Sequence, residues 1–156
     1  MKKARSPVDL DALPGFHIRR LQQIAVALFL QETEAHGITP VQYAALQTVH
    51  DTPGLDQRSL ARTIGFDTST IAGVVDRLEA RGWVRRNASP TDRRVRLLTI
   101  TDEGAALLGA VLPDMLRAQT RMLAPLPAAE RTEFMRMLRV LVTANNELSR
   151  APSDAA

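Results

Sequence analysis

Apolar residues recur every three or four positions through most of this chain, and the recurrence gives way to alternation in only one stretch. Over residues 9–36, Ile18, Leu21, Ala25 and Leu28 stand at alternating three- and four-residue spacings with Ile24 beside them. That spacing predicts a long amphipathic helix, ended by Gly37. Thr39-Pro40-Val41-Gln42 then joins a capping hydroxyl, a proline at the first helical position and a glutamine three residues after the cap. The helix it opens carries Tyr43, Leu46 and His50 along one side and Ala45 and Val49 along an adjoining one; the turn Asp51-Thr52-Pro53-Gly54 closes it. Asp56 is placed to cap a short third helix that buries Leu60, Ala61 and Ile64 before Gly65 breaks it. Asp67 or Thr68 caps a fourth, running to about Arg81. In it Ile71, Val74, Val75 and Leu78 form an i, i+3, i+4, i+7 stripe, and Ser69, Thr70, Gly73, Asp76 and Arg77 fall on the other side.

After Gly82 the pattern becomes extended. Trp83-Val84-Arg85-Arg86, the turn-rich Asn87-Ala88-Ser89-Pro90-Thr91 and residues 93–100 predict a β-hairpin with Val95, Leu97 and Thr99 on one face and Arg94, Arg96 and Leu98 on the other. Thr101 caps a fifth helix whose first turn holds Asp102 and Glu103, favourable near the positive helix end, and Pro113 is expected to kink it. Beyond the Pro125 and Pro127 break, Phe134, Leu138, Leu141, Asn145 and Leu148 follow a 4, 3, 4, 3 spacing, a seam that calls for a partner and in which Asn145 is placed to set register. Two short helices joined through a glycine turn and followed by a hairpin are the signature of a winged helix-turn-helix. The fold expected is therefore all-α with a small β-wing: four helices, the hairpin, then two more helices. The winged unit covers 39–100, a helical dimerisation region covers 9–36 and 101–149, and the polar or small-residue ends, 1–8 and 150–156, are expected to fray.

Composition removes several function classes. The 156 residues suit one domain, and the 45% that are apolar supply a core. With no cysteine there is no disulfide framework, thiolate metal site or cysteine nucleophile. The longest apolar runs, near residues 24–30 and 105–112, fall far short of the ~20 residues of a membrane span, and no cleavable signal pattern opens the chain, so a soluble cytoplasmic protein without a membrane partner is expected. No spacing matches a dinucleotide or phosphate loop, and the three histidines, His17, His36 and His50, form no paired metal motif, so the sequence does not read as an enzyme and no cofactor or resident metal is expected.

Charge is concentrated. The stretch 81–96 holds six arginines against Asp92 alone, net +5, whereas the whole chain is +3 and the remainder therefore −2. A basic hairpin after a helix-turn-helix suits double-stranded DNA at two depths. The fourth helix would enter the major groove, where Thr68, Ser69 and Thr70 near its start reach phosphates or base edges, Gly73 permits close approach and Arg77 reaches the backbone or a guanine. The wing would place Arg94 in the adjacent minor groove, with Arg86, Arg93 and Arg96 on phosphates. The plainer alternatives are helix capping for the Thr68-Ser69-Thr70 run and an Arg77 paired with Asp76 or Glu79.

Three stretches resemble the MarR family of transcriptional regulators. Ser69-Thr70-Ile71 with Val74-Val75-Asp76-Arg77-Leu78-Glu79-Ala80-Arg81-Gly82 is similar to its recognition helix; Ser89-Pro90-Thr91-Asp92-Arg93-Arg94 with Leu97-Leu98-Thr99-Ile100-Thr101 is similar to its wing; and residues 10–34 and 127–148 correspond to its terminal dimerisation helices. The resemblance implies a homodimer on a pseudo-palindromic operator, with repression as the default output. It also implies that Arg94 is the minor-groove arginine and that Asp92 orients the wing through a salt bridge. Gly73 stands where many relatives carry a larger, often basic residue, and Leu126 where a capping serine is common. Gly15-Phe16-His17-Ile18-Arg19-Arg20 looks similar to regulators of aromatic-acid catabolism, whose effectors include hydroxybenzoates, hydroxynicotinate-type acids and cinnamate-derived thioesters. On that ground His17, Arg20, Tyr43 and His50 are the expected binding set for a small aromatic acid effector, histidine and arginine supplying donors for a carboxylate. Two alternatives stand beside this one: a helical adaptor binding protein partners, and a metal-responsive regulator using His17 or His50.

Overall fold

The computed structural model describes residues 8–149, so the fraying expected of residues 1–7 and 150–156 lies outside the described residues. Its elements are α1 (Pro14–Glu32), α2 (Pro40–Asp51), α3 (Gln57–Ile64), α4 (Thr68–Ala80), β1 (Val84–Ala88), β2 (Arg96–Ile100), α5 (Asp102–Leu123) and α6 (Ala128–Ala144), with single 3-10 turns before α1, after α1 and after α6. This is the winged helix-turn-helix between helical flanks. None of the described helices is long and apolar enough to cross a membrane.

Local chemistry sets most of the boundaries. Thr39 Oγ1 accepts from the Gln42 amide at 3.2 Å while Gln42 Oε1 accepts from the Thr39 amide at 3.1 Å, the reciprocal capping box. Asp56 caps α3 on the Ser59 amide at 2.9 Å, and Thr101 caps α5 on the Gly104 amide at 3.0 Å. Gly37 and Gly65 close their helices at φ 61° and 75°, a backbone that side-chain-bearing residues rarely adopt. The expected first helix over 9–36 is broken in two places: Leu13-Pro14 starts α1 afresh, and the buried Thr33 ends it by donating its hydroxyl to the Phe29 carbonyl at 2.8 Å. Pro113 is held inside α5, which runs on as one helix.

The core lies under the winged unit. Ile71, Val75 and Leu78 are wholly buried with Leu60, Ala61, Leu46, Val49 and Leu98. Each large side chain so placed stabilises the fold by about 1.5–3 kcal/mol, enough for this stripe to fix the angle of α4. In α2 the buried face is Ala45, Leu46 and Val49; of the Tyr43, Leu46 and His50 side only Leu46 enters the core, with Tyr43 half-buried and His50 exposed. The hairpin pairs Val84 with Ile100 through Ala88 with Arg96. Its tip is longer than the sequence reading has it: Arg93 and Arg94 lie in the turn, where the Asp92 carbonyl accepts from the Val95 amide at 3.0 Å, and not in the second strand. The face of β2 directed inward is that of Leu98. On its other edge Leu98 bonds both ways to the 54–55 segment, with Gly54 donating at 2.8 Å and Leu55 accepting at 2.9 Å, which seats the wing on the body.

α1 packs along α5, and α6 folds back beside α1. No residue of α6 is buried, and Leu141, Val142 and Leu148 are 53%, 65% and 86% exposed. The 4, 3, 4, 3 seam does not run through to Leu148. Asn145 ends the helix, turning its side-chain amide back on the Leu141 carbonyl at 2.8 Å, and Leu148 lies in the 3-10 turn beyond.

Candidate functional site

Two regions collect the residues singled out from the sequence. The first is the exposed side of α4 with the wing. Thr68, Ser69, Thr70 and Arg77 are exposed and Gly73 is half-exposed, opposite the buried stripe. Asp67 is the cap. Its Oδ1 accepts from the Thr70 amide at 2.7 Å and the Ser69 hydroxyl at 2.7 Å, and its Oδ2 accepts from the Thr70 hydroxyl at 2.9 Å. Both hydroxyls have therefore spent their single proton on Asp67, leaving only lone pairs for a ligand. The capping role set aside as the plainer alternative is present for these two. A Cβ at Gly73 would meet nothing within 4 Å, so the surface there is open.

These bonds to the charged form, the Thr70 amide first, hold the Asp67 carboxyl at about 2, below its ordinary 3.8. A depressed folded value means that Asp67 stabilises the fold above pH 3.8 and that this contribution disappears as the pH falls through about 2. Asp67→Asn, which keeps an acceptor but does not titrate, is expected to lose that part of the acid dependence. Thermal melts between about pH 4 and 2 check it; an unchanged profile would mean the carboxylate is not what holds the start of α4.

The wing's arginines divide. Arg93, Arg94 and Arg96 are exposed, as is Arg77, and among the described residues none of the four has a carboxylate partner. Arg86, expected on phosphates, is instead bound within the protein: Nη1 lies 2.7 Å from Asp76 Oδ1, Nη2 2.9 Å from Glu79 Oε1, and its backbone amide donates to Glu79 Oε2 at 3.0 Å. Asp92 makes no salt bridge among the described residues. It shapes the tip by accepting from the Arg94 amide at 2.9 Å, a short side-chain turn that holds the backbone where Arg94 projects.

The second region is an open groove of about 690 Å³ between α1 and α6, floored by side chains such as Leu21, Phe134 and Leu138. His17 and Arg20 line it. His17 Nε2 lies 2.7 Å from the Asp11 carbonyl oxygen, and the Arg20 guanidinium sits 5.6 Å over the Phe16 ring. Tyr43 and His50 do not join them. The Tyr43 ring packs on Phe29 and its hydroxyl donates to Gln47 at 3.4 Å, while His50 Nδ1 faces Asp51 at 3.1 Å on the surface of α2. The expected set of four is thus split between two places. Among the described residues no group of three or more histidine, aspartate or glutamate side chains is placed to hold a metal ion.

One constellation escaped the sequence reading. His36 Nε2 meets Asp114 Oδ2 at 2.7 Å with both side chains 19% exposed, Arg117 pairs with Asp114 and with Glu32 at 3.1 Å, and Arg121 meets Glu32 at 2.7 Å. The network ties the end of α1 to the middle of α5. Arg121 and then Arg117 hold the Glu32 carboxyl below its ordinary value, and His36 does most of the same for Asp114. Apart from Asp114 and Arg117, three apart on α5, the partners are 78 to 89 residues apart in sequence, and no local spacing announces them.

A model of the MarR family matches residues 38–95. The repressor NicR of Pseudomonas putida, described as an HTH-type transcriptional repressor, is 31% identical over 88% of this chain and 87% of its own length. Among solved structures, the regulator PcaV of Streptomyces coelicolor in complex with its natural ligand is 37% identical with a TM-score of 0.80, over 89% of this chain and 98% of that one. A structure of BpsR from Bordetella bronchiseptica, concerned with regulation of its DNA binding by 6-hydroxynicotinic acid, is 28% identical with a TM-score of 0.82, over 87% and 97%.

Proposed function

Starting from the fact that the chain belongs to the MarR family of DNA-binding transcriptional regulators and is not an enzyme, we propose that it is a homodimeric repressor released from its operator by a small aromatic carboxylate. The observation that carries the effector reading is the groove: an apolar trough with a guanidinium and an imidazole on its wall suits a planar ring with one anionic end. That BpsR binds DNA under control of 6-hydroxynicotinic acid supports the same class of effector. His17 and Arg20 form the carboxylate end in this reading; Tyr43 and His50, outside the groove, are left without a role in it.

On the DNA side, Thr68, Ser69, Thr70 and Arg77 face the major groove across the open surface at Gly73. The Ser69 and Thr70 oxygens, already donors to Asp67, act as acceptors toward base amino groups or backbone-bound water. Arg94 enters the minor groove from the tip shaped by Asp92, and Arg93 and Arg96 meet phosphates. A second copy of the chain covers α6, which has no buried residue within one subunit and leaves Val140, Leu141 and Val142 more than half exposed.

The effector reading is tested by titrating 6-hydroxynicotinate, 4-hydroxybenzoate and p-coumarate into the protein–DNA complex and following release by fluorescence anisotropy. Release is expected with at least one acid. Arg20→Ala should raise the concentration needed by about ten- to a hundredfold, the worth of a charge-assisted pair, and leave DNA affinity without the acid unchanged. Identical release curves for the unaltered protein, Arg20→Ala and His17→Ala would place the acid elsewhere.

A further inference from the structure

We propose that Arg86 is a positioning residue of DNA recognition and touches no DNA: it bolts the wing to the recognition helix through two carboxylates of α4. The inference rests on the DNA-binding reading above and goes beyond it in assigning what sets the wing's place.

Strand geometry makes the first argument. Arg86 pairs directly with Leu98 across the hairpin, so the two side chains leave the ribbon on the same side, and Leu98 is wholly buried. Arg86 therefore belongs to the inward face of the wing with Val84, whereas Arg85 and Asn87 alternate to the exposed face. The Arg86 side chain is 27% exposed, although Arg93, Arg94 and Arg96 on the same hairpin are open to solvent.

The second argument is charge. Asp76 and Glu79 stand three apart on α4 and hence on one side of it. Left alone these two like charges would repel each other across one turn of the helix. Arg86 spans both with a separate nitrogen for each, 2.7 Å from Asp76 and 2.9 Å from Glu79, and its amide adds a bond to the second Glu79 oxygen. Glu79 thus grips both the side chain and the backbone of one β1 residue. Arg86 holds the Glu79 carboxyl below its ordinary value and Glu79 raises the guanidinium in turn, as a bond formed between charged states requires. With Arg86 Nε also donating to Glu79 Oε1 at 3.3 Å, four bonds from the last turns of the recognition helix to the middle of β1 leave the wing little freedom to pivot about Gly82. A pivot would separate the two depths at which one subunit reads DNA.

The experiment uses the full-length protein and a duplex selected by the unaltered protein from a random pool, with an unrelated duplex of equal length beside it. Arg86→Ala and the isosteric Glu79→Gln are each expected to lower affinity for the selected duplex by about tenfold or more, and the double variant should be no weaker than Arg86→Ala alone. Affinity for the unrelated duplex, which reads charge without register, should change by less than about threefold; a variant that merely failed to fold would lose both. The slope of log affinity against log salt should stay as in the unaltered protein. A slope reduced by about 0.9 in Arg86→Ala would make Arg86 a phosphate contact and overturn the proposal, as would full affinity in Glu79→Gln. Failure of the unaltered protein to select any duplex would instead overturn the DNA-binding reading, and this proposal with it.

Discussion

Gly104→Ala should cost the protein about 3 kcal/mol or more, the upper end of what overpacking a core does, and lower its melting temperature by about 6–12 °C. A Cβ there would stand 2.8 Å from Ile100 Cγ1 and closer still to the Trp83 carbonyl oxygen, which is backbone and cannot step aside. That oxygen is already held, accepting from the Thr101 amide at 3.0 Å, while the Thr101 hydroxyl donates to the Gly82 carbonyl at 2.6 Å and caps α5 through the Gly104 amide. Gly104 therefore sits where the start of α5 is pressed against the root of the wing. An alanine must push the helix away from 82–83 or break the cap. Calorimetry on both proteins measures the loss, and a melting temperature within about 2 °C of the original would show that the joint yields without cost. Gly109, on the same helix with nothing within 4 Å of a built Cβ, supplies the control: Gly109→Ala should be neutral or slightly stabilising.

Leu141→Glu is expected to turn the protein into single copies at micromolar concentration and to reduce operator affinity by about a hundredfold or more. Leu141 is 53% exposed within one subunit, on a helix with no buried residue, so the charge should disturb the isolated chain little. Across a two-fold axis each substitution occurs twice, and two carboxylates would be drawn into an apolar contact without partners. Joining two reading heads makes the second engagement intramolecular, so separated subunits lose that advantage while each head keeps its own contacts. Sedimentation gives the mass and circular dichroism the helix content. A variant that still sediments as a pair would show that copies do not meet through this face.

What could be read from the chain was what is local. The stripe Ile71, Val74, Val75 and Leu78, the Thr39 capping box and the Asp56 and Thr101 caps each involve residues within seven positions of one another, and the structure has them as the spacing suggests. The wing was visible as a charge cluster, but which of its cations are free was not. Arg86 and Asp92 are chemically ordinary in sequence, and their roles depend on the register that sets Arg86 across from Leu98 and on the turn that brings the Arg94 amide to Asp92. Gly104 looked like any helical glycine because the atom it must admit belongs to Trp83, twenty-one residues earlier. In the last helix the periodicity of apolar residues continued past the point where Asn145 turns its amide onto Leu141, so a hydrogen bond ended what the pattern alone extended. Tyr43 and His50 were grouped with His17 and Arg20 on the resemblance to regulators of aromatic-acid catabolism, yet α1 and α2 place the two pairs apart.

The open surface at Gly73 bears on how such a regulator can diverge. A new side chain at that position meets no atom of the subunit, and exchanging glycine for a better helix former should favour α4 by about 0.5–1 kcal/mol. On the proposed DNA-facing side of α4, sequence preference can therefore drift there without a compensating change in the interior. Few positions on a reading head leave target choice and folding so independent, since most of its other residues cap the helix, fill the core or anchor the hairpin.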